Sequence, residues 1–420
     1  MNNRTKAVLF FCFLLIFSIV YSPFLLTLSI IGLLLLSLFR IEPSVAPSVK
    51  TRIVFNKDIL RNVIKNKIWL VMMTPFVIVL LSGTYSEDFI YLAERLRIRL
   101  PFLVLPIAFA NLPRFTKRDF YSIFYFLQLV MVVSLGVTLI KYGLDFENIN
   151  TQIEHGKSMP TPMNHIRYSL LLAISILSGV VLYGNHFRWK YAWERKVLFA
   201  ALLFQAIGIH VLSVRSGLAV LYAASAALIF LNVLQTKRYL LGVLYIVGLL
   251  ALPLVAYFAL PSFKAKVDYA FYDRQMRAEG RVKDFSDSER IASLEVGMIV
   301  AKQNILFGVG AGDVWHDIKA VYARDYAWET EPKIPHNQFL MIAAGTGLVG
   351  VLLFIWSFFY PLWYKQFYKE PIFLAHGICL LLSYFVEPTI EIAVGTSIYM
   401  FFASICVHYQ LSNLDVEDEK

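Results

Sequence analysis

The amino-acid sequence predicts an all-α membrane protein that crosses the bilayer about twelve times. Of its 420 residues, 58% are hydrophobic and only 16% are charged, whereas soluble domains are about half apolar and about a quarter charged. Long apolar runs recur from one end of the chain to the other. Each approaches the length that a helix needs to span roughly 30 Å of hydrocarbon. Helices are expected because backbone groups in lipid must be hydrogen-bonded within their own segment.

Twelve apolar runs are predicted as transmembrane helices, so that residues 1–420 form one transmembrane domain. The runs lie at about 7–21, 24–39, 68–84, 100–112, 120–140, 167–184, 197–213, 217–235, 239–260, 338–360, 372–387 and 394–411. The fourth run is short and contains Pro101 and Pro106. One long loop, residues 261–337, separates the ninth helix from the tenth.

The basic residues predict that both termini are cytoplasmic. With the N-terminus inside, Lys and Arg in the inside loops outnumber those in the short outside loops roughly threefold, which is the bias expected of cytoplasmic loops. The long loop then lies on the periplasmic side of a bacterial inner membrane. The formal net charge of +10 is therefore mostly a signal of orientation. It does not predict nucleic-acid binding, which needs a clustered basic face on a soluble element.

Several signatures of other functions are missing from the sequence. There is no G-x-x-x-x-G-K-[ST] phosphate loop, which argues against an ATP-driven pump, and no zinc-binding motif. Glu387 and Glu391, in the last outside turn, are interpreted as interfacial residues rather than a proton relay. The outside cluster of Arg95, Arg97 and Arg99 is interpreted mainly as an interfacial anchor, with phosphate contact as the alternative.

Three polar segments interrupt the predicted helices on the side assigned to the periplasm. The first is SVRSG at 213–217, between the seventh and eighth helices. The second, in the long loop, contains SER at 288–290 and NILFGVG at 304–310. The third begins with PHNQFL at 335–340 and continues into AGTGLVG at 344–350.

Together these segments resemble the O-antigen ligase family, which includes the related O-antigen polymerases. Members combine an SRSG-like turn, an "R…NPLFGVG" segment in a long periplasmic loop, and "HNxfL…aGxxGlvg" at the head of the next helix. Here the first motif reads SVRSG, and the second has Asn304-Ile305-Leu306 where a proline is common. The resemblance covers residues 165–360 in sequence and extends to the whole chain through the number of helices.

The resemblance implies a glycosyltransferase that needs no metal and no cofactor. Such an enzyme moves a glycan from an undecaprenyl-diphosphate carrier to a hydroxyl acceptor at the periplasmic face. The acceptor is the lipid A–core sugar for a ligase, which we expect here, or another lipid-linked glycan for a polymerase. A transporter or flippase of lipid-linked oligosaccharide is an alternative from a different class. It would need cationic residues for phosphate but no catalytic base.

Arg215 and Arg290 are predicted to bind the diphosphate. Arg215 is expected at the outer membrane boundary, beside the N-terminus of the eighth helix, where free N–H groups and a bidentate guanidinium both favour phosphate. Alternatively, Arg215 only anchors this helix at the interface. Arg290 by itself would be an exposed charge of the loop, and the resemblance implies that it is a second diphosphate ligand.

His336 is predicted to be the catalytic base. It follows Pro335 and is expected to begin the tenth helix, whose dipole disfavours imidazolium at that end. The neutral imidazole is the form that a general base needs. Alternatively, His336 is a capping or packing residue. His165, at a similar position on the sixth helix, is the rival base, and Arg167 beside it and Asn337 are secondary candidates.

These roles describe a single displacement at the anomeric carbon, with the lipid diphosphate as the leaving group. Arg215 and Arg290 would neutralise the charge that develops on the diphosphate. His336 would take the proton of the acceptor hydroxyl. A single displacement inverts the configuration at the anomeric carbon.

Overall fold

The structure, a computed structural model, describes residues 3–43, 51–279, 286–326, 328–329 and 331–418. The described N-terminal half contains the helices α1 (Asn3–Tyr21), α2 (Pro23–Leu38), α3 (Ile59–Lys65), α4 (Lys67–Met72), α5 (Thr74–Ser82), α6 (Phe89–Phe109), α7 (Lys117–Leu144), α8 (Phe146–Glu154) and α9 (His165–Gly184). The C-terminal half contains α10 (Glu194–Leu212), α11 (Arg215–Thr236), α12 (Tyr239–Ala259), α13 (Pro261–Ala278), α14 (Ser286–Gln303), α15 (Val314–Asp325), α16 (Gln338–Trp363), α17 (Pro371–Val386) and α18 (Ala393–Asp418).

A short antiparallel hairpin between α2 and α3 was not predicted from the sequence. Strand β1 (Phe39–Pro43) pairs with β2 (Thr51–Phe55), with Phe39 opposite Phe55. Strands of five residues are too short to form an apolar run of membrane-spanning length, which is the pattern that predicts the helices. The protein is therefore helical with one small hairpin in the part that the structure describes.

Each of the twelve predicted apolar runs coincides with helix, but the runs differ in length and continuity. In the described residues, seven helices are long and apolar enough to cross a membrane, namely α1, α7, α9, α10, α11, α12 and α16. The third run is split into α4 and α5, and the fourth is the C-terminal half of α6, which contains Pro101 and Pro106 in its interior. Helices α2 and α17 are apolar but shorter. The protein is thus a multi-pass membrane protein.

The main core is built from aromatic and aliphatic side chains of α1, α6, α7, α9, α17 and α18. Phe120 and Phe124 of α7 are fully buried, and the ring of Phe120 stacks on that of Tyr409 with the centroids 4.2 Å apart. Helix α12 is the opposite case, because Gly242 and Ala256 alone are buried along its length. Its apolar surface therefore faces outward, as a lipid-exposed helix would.

The predicted loop 261–337 contains three helices, α13, α14 and α15, in its described part, and residues 280–285, 327 and 330 lie outside that part. Val296 and Val300 of α14, and Ile318 and Tyr322 of α15, form a second small core with Met341 of α16. This core fixes the loop helices against the N-terminal end of α16.

Helix α16 is broken at Gly347, where the backbone adopts φ 65° and ψ −168°. A break frees backbone groups that must find other partners when they are buried. The N–H groups of Val309 and Gly310 donate to the carbonyls of Ala344 and Gly345, at 2.9 and 3.0 Å. The NILFGVG segment of the loop therefore replaces the missing helical hydrogen bonds of α16.

The two glycine-rich motifs thus form one structural unit. The N–H of Leu348 donates to the carbonyl of Ile305 at 2.8 Å. A Cβ at Gly347 would lie 2.3 Å from the carbonyl of Leu306, and one at Gly308 would lie 2.4 Å from the amide of Thr346. Glycine is required at both positions because the two backbones touch and because φ is positive at each.

Candidate active site

The candidate site is centred on Glu387, at the C-terminal end of α17. Its Oε1 accepts from Nη2 of Arg290 and lies the same distance, 3.1 Å, from Nδ1 of His336. The Glu387 side chain is 7% exposed, whereas those of His336 and Arg290 are 24% and 32% exposed. A buried carboxylate thus joins two predicted site residues that remain open on their other sides.

Helix α14 contains Arg290 and also contacts the backbone of His336. The hydroxyl of Ser293 donates to the carbonyl of Arg290 at 2.7 Å and accepts from the N–H of His336 at 3.3 Å. The loop helix therefore brings Arg290 and His336 together, although they are far apart in sequence.

His336 does not begin the tenth helix as predicted. Helix α16 starts at Gln338, and Asn337 is its N-cap, with Oδ1 accepting from the N–H of Leu340 at 2.9 Å. The side-chain amide of Asn337 also donates to the carbonyl of Phe385 at 3.3 Å. Asn337 therefore ties the start of α16 to the end of α17, and His336 lies one residue before the cap.

A second cluster of buried charges lies beside the first. Nη2 of Arg99 is 2.6 Å from Oε1 of Glu391, and Gln338 donates to the same oxygen at 2.9 Å. Gln338 also accepts from the N–H of Ile390 at 2.9 Å. The turn between α17 and α18 is thus fixed to α16 through Gln338, one residue after the cap and two residues after His336.

Four of the five residues interpreted as interfacial, Arg95, Arg99, Glu387 and Glu391, are buried against other parts of the protein. The side chains of Arg95 and Arg99 are 10% and 7% exposed, and that of Glu391 is 1% exposed. Glu387 is buried as well. Arg97 is exposed, as an interfacial anchor would be. Ionisable residues in membrane segments generally face the protein interior and are functional. This rule could have predicted from the sequence that the two glutamates are buried.

His165 and Arg167 lie at the start of α9, in the same neighbourhood. Arg167 lines a small cavity together with Glu387 and the first turn of α11. His165 lies within electrostatic reach of Glu387, Arg290 and Lys266. The rival base predicted from the sequence is therefore a neighbour of the first one.

Arg215, predicted beside the N-terminus of the eighth helix, is the first residue of α11 and follows a sharp turn at Ser213, whose φ is 54°. It lines a cavity of about 190 Å³ together with Lys266 and Arg274 of α13. Arg290 has a different environment, since it contacts the carboxylate of Glu387. The two predicted diphosphate ligands thus have separate sets of neighbours.

In the part of the chain that the structure describes, no group of three or more His, Cys, Asp or Glu side chains is arranged so that it could hold a metal ion. The functional groups of the candidate site are guanidinium groups, an imidazole and a carboxylate. Such a set can bind an anion and accept a proton.

The fold and the site define a multi-pass membrane protein with a cationic, imidazole-containing site where several of its helices begin or end. A family model described as O-antigen ligase matches residues 198–355, which include Arg215, Arg290 and His336. The match supports the assignment of the chain to the O-antigen ligase family. It also supports a membrane glycosyltransferase of the ligase or polymerase type. A comparison with curated proteins finds no match to the chain.

Proposed function

We propose that the protein is an O-antigen ligase that transfers a glycan from an undecaprenyl-diphosphate carrier to a hydroxyl of lipid A–core at the periplasmic face. The observation that carries this proposal is the contact of His336 with Glu387, with Arg290 on the same carboxylate oxygen. A transporter of the same substrate would need cations but would have no use for an imidazole oriented by a carboxylate.

His336 is the proposed catalytic base. When the neutral imidazole carries its proton on Nδ1, it donates to Glu387, and Nε2 is left to accept the proton of the acceptor hydroxyl. The carboxylate then stabilises the imidazolium that forms, as the acid of a catalytic triad does. The buried position of Glu387 strengthens this effect because the local dielectric is low.

Arg215 and Arg290 are the proposed ligands of the diphosphate. A guanidinium has five N–H donors, so the contact of Arg290 with Glu387 leaves others for a phosphate oxygen. Cations fixed where charge develops on the leaving diphosphate stabilise the transition state. No metal or cofactor is needed for this charge stabilisation. The displacement is single, so the anomeric configuration is inverted.

The proposed topology has twelve crossings, cytoplasmic termini and a periplasmic site. The site residues come from the starts of α9, α11 and α16 and from the end of α17. Arg290 comes from α14, in the loop 261–337. Consecutive crossings run in opposite directions. In this topology α10 returns the chain to the periplasmic side before α11 begins, and α12 returns it there before α13–α15 and α16. The starts of α9, α11 and α16 and the end of α17 therefore lie on the same side. The family-like region is proposed to extend over residues 165–360, because His165 and Arg167 belong to the same neighbourhood.

Reconstitution tests the proposed function directly. Purified protein in liposomes would receive an undecaprenyl-diphosphate-linked glycan together with lipid A–core or with a second lipid-linked glycan. We expect extension of lipid A–core. Extension of the lipid-linked glycan alone would identify a polymerase instead. Movement of the donor across the bilayer, with neither acceptor extended, would identify a transporter.

A further inference from the structure

A cavity of about 680 Å³ lies between α9, α11, α16 and α17. Its lining residues begin at Leu177 of α9, Ser225 of α11 and Phe358 of α16, which are about three, three and five turns into their helices. On α17 they lie between Pro371, the first residue, and Leu381. The candidate site lies at the other ends of the same four helices. The cavity therefore occupies the part of the helix bundle remote from the candidate site.

The interior of this cavity is apolar. Its walls include Val180, Leu228, Phe358, Leu374, Ile378 and Leu381. The volume lies within the range of ligand-binding cavities, about 300–1,000 Å³. Water gains little from such walls, and in a multi-pass membrane protein the surrounding lipid supplies hydrocarbon chains that fit them. The interior therefore suits the acyl chains of a lipid.

The polar lining residues, apart from Ser225, are gathered near the ends of the helices. This polar end of the cavity consists of Asn232, Gln235, Trp363, Tyr368 and Lys369. The first two lie near the C-terminal end of α11, Trp363 is the last residue of α16, and the other two precede α17. Tryptophan and tyrosine are enriched where a membrane meets water. The cavity thus has an apolar interior and an interfacial polar end, an arrangement that suits an amphiphile.

Lys369 gives the polar end a positive charge, and none of the described lining residues is acidic. Its side chain is exposed and takes part in none of the ion pairs between described residues. The neighbouring Glu370 is buried and caps α17, where its carboxylate accepts from the N–H of Phe373 at 2.7 Å. The ammonium group of Lys369 is therefore available to an anionic head group.

We propose that this cavity binds one anionic phospholipid, with its acyl chains among α9, α11, α16 and α17 and its phosphate at Lys369. The proposed topology places this end of the helices in the cytoplasmic leaflet, where basic pockets between transmembrane helices bind anionic head groups. Only this choice of leaflet rests on the proposed function. The bound lipid fills the space between four helices whose other ends form the candidate site.

Native mass spectrometry of the full-length protein in detergent tests the proposal. Phosphatidylglycerol, phosphatidylethanolamine and undecaprenyl phosphate would be titrated separately. We expect one phosphatidylglycerol to bind, and to bind more tightly than either other lipid. Lys369→Gln should weaken phosphatidylglycerol binding by about fivefold or more, because one lysine near an anionic head group contributes on this order. It should leave phosphatidylethanolamine binding nearly unchanged.

Lys365→Gln is the matched control. Lys365 is exposed in the same loop as Lys369, but it does not line the cavity, so its variant should bind phosphatidylglycerol normally. Ser225→Phe tests the location, because a larger side chain in the wall should reduce the binding of both phospholipids. Lys369→Gln remains informative if Ser225→Phe folds poorly, since the Lys369 side chain is exposed.

Four outcomes would overturn the inference. Phosphatidylglycerol binding could be normal in Lys369→Gln, or equally weak in Lys365→Gln. The two phospholipids could bind equally well to the wild-type protein. Undecaprenyl phosphate could bind more tightly than phosphatidylglycerol, in which case the cavity would hold the lipid carrier. Each of these results removes the selective anionic phospholipid site.

A transfer assay on the same preparations separates this result from that of the proposed function. Protein that binds phosphatidylglycerol through Lys369 but transfers no glycan would keep the lipid site and lose the enzyme proposal. Protein that transfers glycan and shows no preference for phosphatidylglycerol would keep the enzyme proposal and lose the lipid site.

Discussion

The chemistry proposed for His336 depends on a single side chain, and its removal gives the most direct test at the residue scale. A general base typically contributes about 10²–10⁴-fold to a rate. We expect His336→Ala to reduce transfer by this order, with partial recovery at high pH, and to leave donor binding largely intact. His165→Ala, the comparison variant, should have a milder effect. Loss of transfer in His165→Ala with a nearly normal rate in His336→Ala would reverse the assignment.

Glu387 should matter less than His336 but more than a residue that only packs. Glu387→Gln keeps the shape and an acceptor oxygen, yet removes the charge that stabilises the imidazolium. Carboxylates that orient a functional imidazole in metal sites contribute about 10–100-fold, and we expect a decrease in kcat of this order. Steady-state kinetics with purified protein would measure it. An unchanged kcat would mean that the contact is structural only.

Arg215 should not tolerate replacement by lysine. Lysine keeps the charge but loses the planar fork that can engage two phosphate oxygens, so Arg215→Lys should lose much of the transfer activity. Arg215→Ala should lose more, with the protein still inserted and abundant. Transfer assays at several donor concentrations would place the defect in KM or in kcat. Normal transfer by both Arg215→Ala and Arg290→Ala would remove the diphosphate assignment.

At the element scale, the break in α16 gives a stability prediction. Gly347→Ala forces a Cβ to within 2.3 Å of the Leu306 carbonyl at a positive φ. Such strained backbone costs about 1–3 kcal/mol, before the clash is counted. We expect a lower Tm in detergent. Gly136→Ala is the control, because no atom beyond the local backbone of its own helix lies within 4 Å of its added Cβ, and its Tm should not fall.

The sequence predicted the positions of the apolar helices well because length and hydropathy determine them locally, and seven helices in the described residues are long and apolar enough to cross a membrane. It also identified Arg290 and His336, which the fold brings to the same carboxylate. It did not predict that carboxylate as part of the site. Glu387 and Glu391 look alike in sequence, on either side of Pro388, and only the packing of α17 and α18 against α16 determines which cation each one meets.

The loop 261–337 was predicted only as a polar connection for a related reason. Its helices are too short or too polar to form apolar runs of membrane-spanning length, so the hydropathy pattern does not predict them. Their positions depend on contacts with distant elements, such as the backbone hydrogen bonds between Val309 and Ala344. The glycine-rich motifs were visible in the sequence, yet their role as one unit appears only when both segments are seen together.

At the scale of the whole molecule, the orientation of the chain decides whether the site meets a periplasmic acceptor. Single cysteines would replace Lys57, Lys237 and Lys319, all of which are exposed, after removal of the three buried cysteines. Lys57 and Lys237 lie in basic loops that should be cytoplasmic, whereas Lys319 lies on α15, which packs with α14 and with the N-terminal part of α16. An impermeant thiol reagent added to intact cells should therefore label position 319 alone. Labelling at 57 and 237 but not at 319 would place the site in the cytoplasm. The same catalytic groups would then have no access to a periplasmic glycan acceptor.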